Sequence, residues 1–159
     1  MISKRNSNQT DEENSEEDQS AIRILRWVAK SLIERIEDFK PQEISNSIWA
    51  FATLGFGATT STGQFNTNNE YISLPSSQPE LDRKLVSEAL LVVAKNAKSR
   101  LNRFRPQELN NMVWGYCRLG HYTDEMMKLY EGVGQEILQR HRQFAPQVRV
   151  HVLFECNVF

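Results

Sequence analysis

Apolar positions along the chain fall into two kinds of amphipathic segment. In the shorter kind, Ile44, Ile48, Trp49, Phe51, Ala52 and Leu54 recur at the three- and four-residue spacing of a helical stripe. Leu109, Val113, Trp114, Tyr116, Cys117 and Leu119 repeat that stripe 65 residues later. The longer segments, Ser20–Asp38, Leu81–Arg103 and Thr123–Gln143, each run up to a phenylalanine: Phe39, Phe104 or Phe144. Counted back from that phenylalanine their apolar positions coincide. Ala29, Ala94 and Gly134 stand ten residues back, Val28, Val93 and Val133 eleven, and Leu25, Leu90 and Tyr130 fourteen. Small residues at one shared depth predict close approach of neighbouring helices.

The short segments are copies of one motif. Phe39-Lys40-Pro41-Gln42-Glu43-Ile44-Ser45-Asn46-Ser47-Ile48-Trp49-Ala50-Phe51-Ala52-Thr53-Leu54-Gly55 returns as Phe104-Arg105-Pro106-Gln107-Glu108-Leu109-Asn110-Asn111-Met112-Val113-Trp114-Gly115-Tyr116-Cys117-Arg118-Leu119-Gly120. A third copy opens at Phe144-Ala145-Pro146-Gln147 and then drifts, with Phe154 where the tryptophans fall. The ends are marked. Pro41 and Pro106 suit a first helical turn, where the missing N–H costs nothing. Glu43 and Glu108 complement the helix dipole there, and Gly55 and Gly120 are natural C-terminal stops. The pattern predicts an all-α protein, an α-solenoid of helical-hairpin repeats of about 40 residues. It would hold two full copies and a truncated third, spanning residues 20–159.

Two stretches break the period. Residues 56–78, rich in Ser, Thr, Asn and Gly with Pro75 near the end, read as a flexible insert between the helices of one hairpin. After Gln147, Val148–Phe154 alternates like a strand, and the third copy lacks its glycine. A fragment of a longer array, or a reading frame lost after Gln147, is the expectation.

Composition narrows the function classes. The net charge of −1 hides an acidic leader: residues 1–20 set Lys4 and Arg5 against six acids, leaving +3 for the rest. With one large apolar residue after Met1, the segment 1–19 is expected to be a disordered acidic tail. It does not look like a transit peptide. The longest apolar run, Ala89–Ala94, is far too short to span a bilayer, so no membrane partner is expected. Cys117 and Cys156 form no CxxC pair. His121, His141 and His151 show no metal-ligand spacing with each other or with the cysteines. No phosphate loop or nucleophile motif is present. Neither an enzyme, a cofactor, a metal nor a small-molecule substrate is expected.

The repeated motif resembles the octotricopeptide-type repeat, and is similar to the helical domain of RNA-editing substrate-binding complex subunit six and to FAST-kinase-like leucine-rich proteins. The resemblance covers about residues 20–147. It implies a helical-repeat binder of single-stranded RNA acting on organellar transcripts, in processing, stability or translation. Mitochondrion or chloroplast would be its location, and other RNA-processing proteins its further partners. The RAP-type module that such arrays often carry is not legible in this sequence.

Taking the apolar stripe as inward turns positions 43, 46, 47, 50 and 53 outward, and 108, 111, 112, 115 and 118 in the second copy. Asn46 and Asn111 would then address base edges, with Ser47 and Met112 as variable neighbours. The same amides would equally serve to cap or bridge helices. Lys95, Lys98, Arg100, Arg103 and Arg105 form an acid-free cluster, in which Lys95, Lys98 and Arg105 lie near one face at helical spacing, close to the hairpin turn, and suit phosphates. Trp49 and Trp114 invite base stacking, but their place in the apolar stripe assigns them to the repeat core with Pro41, Gly55, Pro106 and Gly120. On that assignment Trp→Ala costs about 3–5 kcal/mol. Near-neutral charge favours a rival, a protein-interaction scaffold of tetratricopeptide-like type.

Overall fold

The computed structural model describes residues 5–59 and 76–144, with side chains from Glu16 onward. The α-helices are α1 (Arg5–Arg35), α2 (Pro41–Thr53), α3 (Pro79–Lys98), α4 (Pro106–Leu119) and α5 (Asp124–Gln139), and no strand occurs among the described residues. The protein is all-α, as the periodicity predicts. Helix α3 packs on α1 and α5 on α3, making one row; α4 packs on α2 in a second. Ile22, Leu25, Leu32, Ile48, Phe51, Leu90, Leu109 and Leu129 belong to one continuous core between them. Tyr116 ties the rows together, its buried hydroxyl donating to the Leu90 carbonyl at 2.7 Å.

The junction between a long helix and the following motif is built the same way each time. One turn of 3-10 helix (Ile36–Asp38, Leu101–Arg103, His141–Gln143) follows the long helix. An extended phenylalanine comes next, its amide donating three residues back: Phe39 to Ile36 at 3.2 Å, Phe104 to Leu101 at 3.0 Å, Phe144 to His141 at 3.3 Å. Pro41 and Pro106 then open α2 and α4. Glu43 accepts from the Lys40 amide at 2.8 Å and Glu108 from the Arg105 amide at 2.7 Å. Each carboxylate thereby satisfies an amide at a helix start that would otherwise lack a partner. At the far ends Gly55 and Gly120 take φ of 62° and 71°, a left-handed conformation that any side chain would strain.

At the second and third junctions an arginine four residues before the phenylalanine stitches the junction to the preceding one. Arg100 Nη2 donates to the Ile36 carbonyl at 3.3 Å. Arg140 Nη1 reaches the Phe104 carbonyl at 3.0 Å and the Asn102 carbonyl at 3.4 Å, and Nη2 the Leu101 carbonyl at 3.5 Å. Its Nε lies 2.7 Å from Glu136 Oε2, an ion pair without hydrogen-bond alignment. The Ile36, Leu101 and Asn102 carbonyls lie in the 3-10 turns that close the long helices, where partial negative charge gathers and a guanidinium complements it.

Two expectations differ from this arrangement. Helix α1 begins at Arg5, inside the segment read as a disordered tail. A helix already nucleated and held by Ile22, Leu25 and Ala29 extends by one hydrogen bond per residue ordered, which composition alone does not register. The insert gives up its first four residues. Phe56 is buried against the core, and the Thr59 amide donates to the Leu119 carbonyl at 2.9 Å. Residues 60–75, the rest of the third copy, the alternating run Val148–Phe154, His151 and Cys156 lie outside the described residues.

Candidate nucleic-acid interface

Each motif helix has one face turned away from both rows, and the two faces carry matching side chains. On α2 it presents Gln42, Asn46, Trp49 and Thr53, all exposed. On α4 the same positions are Gln107, Asn111, Trp114 and Arg118, half-buried except for exposed Gln107. The spacing of three and four residues lines them up along the helix. Arg118 stacks its guanidinium over the Trp114 ring, 6.0 Å from the centroid. Because α2 lies against α4, the two ladders run side by side.

Trp49 therefore departs from its core assignment: 47% of its surface is exposed. Trp114, its counterpart, packs partly against the core. The apolar stripe is wider than the buried arc, and Trp49 sits at its edge, next to Ala52 and Ser45 on the inner side and Asn46 on the outer.

Met112 is the second correction. It is fully buried, with Glu108 and Gly115 also buried beside it. These residues form the flank by which α4 docks on α2, where a Cβ at Gly115 would stand 2.6 Å from Ile48 Cγ2. Their counterparts on α2, Glu43, Ser47 and Ala50, have no preceding motif helix against them among the described residues and stay exposed or half-buried. Ser47 Oγ donates to the Glu43 carbonyl at 2.8 Å, the back-bond typical of a helical serine. A base-addressing role for Met112 fails on burial; Asn46 and Asn111 keep theirs open.

The basic cluster is split. Lys95 and Lys98 are exposed in the last turns of α3. Arg105 is not on their helix: the chain turns through Ser99–Phe104, and Arg105 is the exposed residue before Pro106 at the start of α4. Its guanidinium stands 3.8 Å from Glu108. Lys40 holds the same place before α2, so Lys40 and Arg105 mark the N-terminal end of both ladders. Arg100 and Arg140 are committed to the junction carbonyls. On the α3–α5 row, Lys128 donates to Glu125 at 2.9 Å and holds that carboxyl below its ordinary value, with Lys98 and Lys95 adding to the effect. Lys95 and Lys98 thus sit over the long-helix row, and the amide and tryptophan ladders over the motif-helix row.

Pro41, Pro106, Gly55 and Gly120 occupy the helix ends expected of them. Sequence reasoning passed over Gln42 and Gln107 as ladder members; their identity in both copies was the available signal. It also passed over His121, which is buried and joins the turn after α4 to the turn after α2 through its Nε2, 2.7 Å from the Gly57 carbonyl. Burial pushes this imidazole below its ordinary value; the Gly57 hydrogen bond opposes that and the charge of Arg83 adds to it.

Such a surface can stack a base on the exposed Trp49 ring, accept and donate through four carboxamides, and meet phosphates at Lys40 and Arg105. Among the described residues no three His, Cys, Asp or Glu side chains gather as metal ligands, and no helix is long and apolar enough to cross a membrane. Comparison with family models, with characterised proteins and with solved structures returns no match.

Proposed function

We propose that this chain is a single-stranded RNA-binding helical-repeat module, an α-solenoid of octotricopeptide-like type that serves organellar RNA processing, stability or translation. The observation that carries the reading is the matched pair of outward ladders, Gln42–Asn46–Trp49 and Gln107–Asn111–Trp114, on adjacent helices. One base stacks on the exposed indole of Trp49, the Trp114 ring being covered by Arg118, and the asparagine amides meet base edges, one base per repeat. Lys40 and Arg105 hold the intervening phosphates, and Lys95 and Lys98 add attraction at longer range without touching the same nucleotides. With two described ladders, affinity falls in the range of non-specific binding, a Kd of about 10⁻⁴ to 10⁻⁶ M at physiological salt.

The test is a titration of the full chain against a fluorescent single-stranded RNA of about a dozen nucleotides, beside an Asn46→Ala/Asn111→Ala variant of unchanged helicity. Weaker binding by the variant supports base addressing. Equal binding reduces the surface to a phosphate contact. No binding by the folded wild type transfers the proposal to the protein-interaction scaffold, which the exposed Trp27 and Ile24 of α1 favour.

A further inference from the structure

Equivalent positions of the three long helices differ in burial in a directional way. Fifteen residues before the junction phenylalanine stand Ile24, Ala89 and Leu129; twelve before it, Trp27, Val92 and Gly132; four before it, Arg35, Arg100 and Arg140. In α3 and α5 these residues meet the preceding unit. Ala89 and Leu129 are fully buried, a Cβ at Gly132 would touch Leu101 Cδ1, and the arginines cap the preceding junction's carbonyls. In α1 nothing precedes them among the described residues: Ile24 is 60% exposed, Trp27 63%, and Arg35 meets only the Asp38 carboxylate, at 4.0 Å.

The opposite flank behaves in reverse. Seventeen and six residues before the phenylalanine, α1 places Ile22 and Ile33 against its neighbours. Helix α5 leaves the counterparts Met127 and Leu138 exposed, Leu138 by 76%. Gly134, the counterpart of fully buried Ala29, has open space where a Cβ would lie. Each end of the long-helix row therefore presents one half of the contact that α1 and α3 make; in α3 the same trailing positions hold half-buried Ser87 and exposed Lys98, so the α3–α5 contact repeats it at buried Ala94 alone.

We infer that the α1 face of Ile24, Trp27 and Arg35 is a docking surface for the α5 face of Met127, Gly134 and Leu138 of a second copy of this chain. The association is head-to-tail. Apolar side chains cover each other as α1 and α3 do, and Arg35 caps the carbonyls of the turn His141–Gln143. Different surfaces meet, so the contact is heterologous and open: each added copy exposes a fresh end. One pair opposes it. Where Arg26 and Asp82 form a 2.6 Å ion pair inside the molecule, the inter-copy counterparts are Glu131 and Glu17. Two carboxylates then face each other, which keeps the association weak and makes it tighten as salt screens them. The inference does not depend on RNA binding.

Sedimentation velocity of the full chain over a concentration series, at low and high salt, tests it. Wild type is expected to show concentration-dependent association that increases with salt. Trp27→Glu and Leu138→Glu, both at exposed positions and checked for unchanged helicity, each abolish it. Their mixture restores one species, a 1:1 dimer, because each supplies the end the other has lost. A wild type that is monomeric at every concentration overturns the inference. So does association that survives either substitution, that the mixture fails to restore as a dimer, or that weakens with salt.

Discussion

Gly115 lies so close to Ile48 that a Cβ on it would stand 2.6 Å from Ile48 Cγ2 and 3.1 Å from the Ile48 carbonyl oxygen. The methyl group could swing away; the backbone oxygen cannot. The missing side chain is what allows α4 to lie on α2 and so sets the two ladders side by side. Gly115→Ala gains about 0.5–1 kcal/mol of helix propensity and loses about 1–3 kcal/mol to overpacking. A net destabilisation of about 1 kcal/mol is expected, read as a lower urea midpoint with an unchanged slope. A rise in the midpoint would show that the helices can separate at no cost.

Arg140 and Arg35 hold the same place in their repeats but do different work. Arg140 donates to the junction carbonyls of the preceding unit, and hydrogen bonds from charged groups contribute about 1.5–3 kcal/mol. Arg140→Leu should cost about 2 kcal/mol, since the side chain retains some solvent contact. Arg35→Leu should change stability by no more than about 0.5 kcal/mol in a dilute sample. Equal losses in chemical denaturation would remove the junction clamp from the account.

His121 links stability to pH. Its folded-state value lies below the ordinary one, because burial disfavours the imidazolium. The unfolded chain therefore binds the proton more readily, and stability rises with pH between the folded value and about 6.5. The contribution is complete above that range and is lost as pH falls through the folded value. The melting temperature of wild type should drop between pH 7.5 and 5.5 more than that of His121→Gln, which keeps a donor for the Gly57 carbonyl. Parallel pH profiles would contradict this.

The two tryptophans separate packing from binding. Trp114 packs against the core, and Trp114→Ala should approach the 3–5 kcal/mol typical of a buried tryptophan (about 3 at half burial). Trp49→Ala, at an exposed position, should cost clearly less in thermal unfolding.

Much of this architecture was legible in the sequence because its signals are local. Proline at the helix starts, the carboxylate two residues on, glycine past the last leucine and the phenylalanine at each junction act within one turn, so identical residues build identical junctions. What escaped was set by neighbours. Ser47 and Met112, or Arg35 and Arg100, occupy the same repeat position, and only the presence of a preceding unit decides which is buried. Arg105 was misplaced for a different reason: the helical face drawn through Lys95 and Lys98 ends at Lys98, and the 3-10 turn redirects the chain. Trp49 lies at the edge of an apolar stripe wider than the contact it makes.

The central claim is that the ladders hold single-stranded RNA, and Trp49 tests it most directly because its indole is exposed and its loss leaves the core in place. Titration of wild type and Trp49→Ala with one fluorescent RNA, at matched salt and matched helicity, reads the stacking alone. Base stacking on an aromatic side chain contributes about 1–3 kcal/mol, so the variant should bind about 5- to 150-fold more weakly. RNA binding that is indifferent to Trp49, or absent from the folded wild type, would contradict the account.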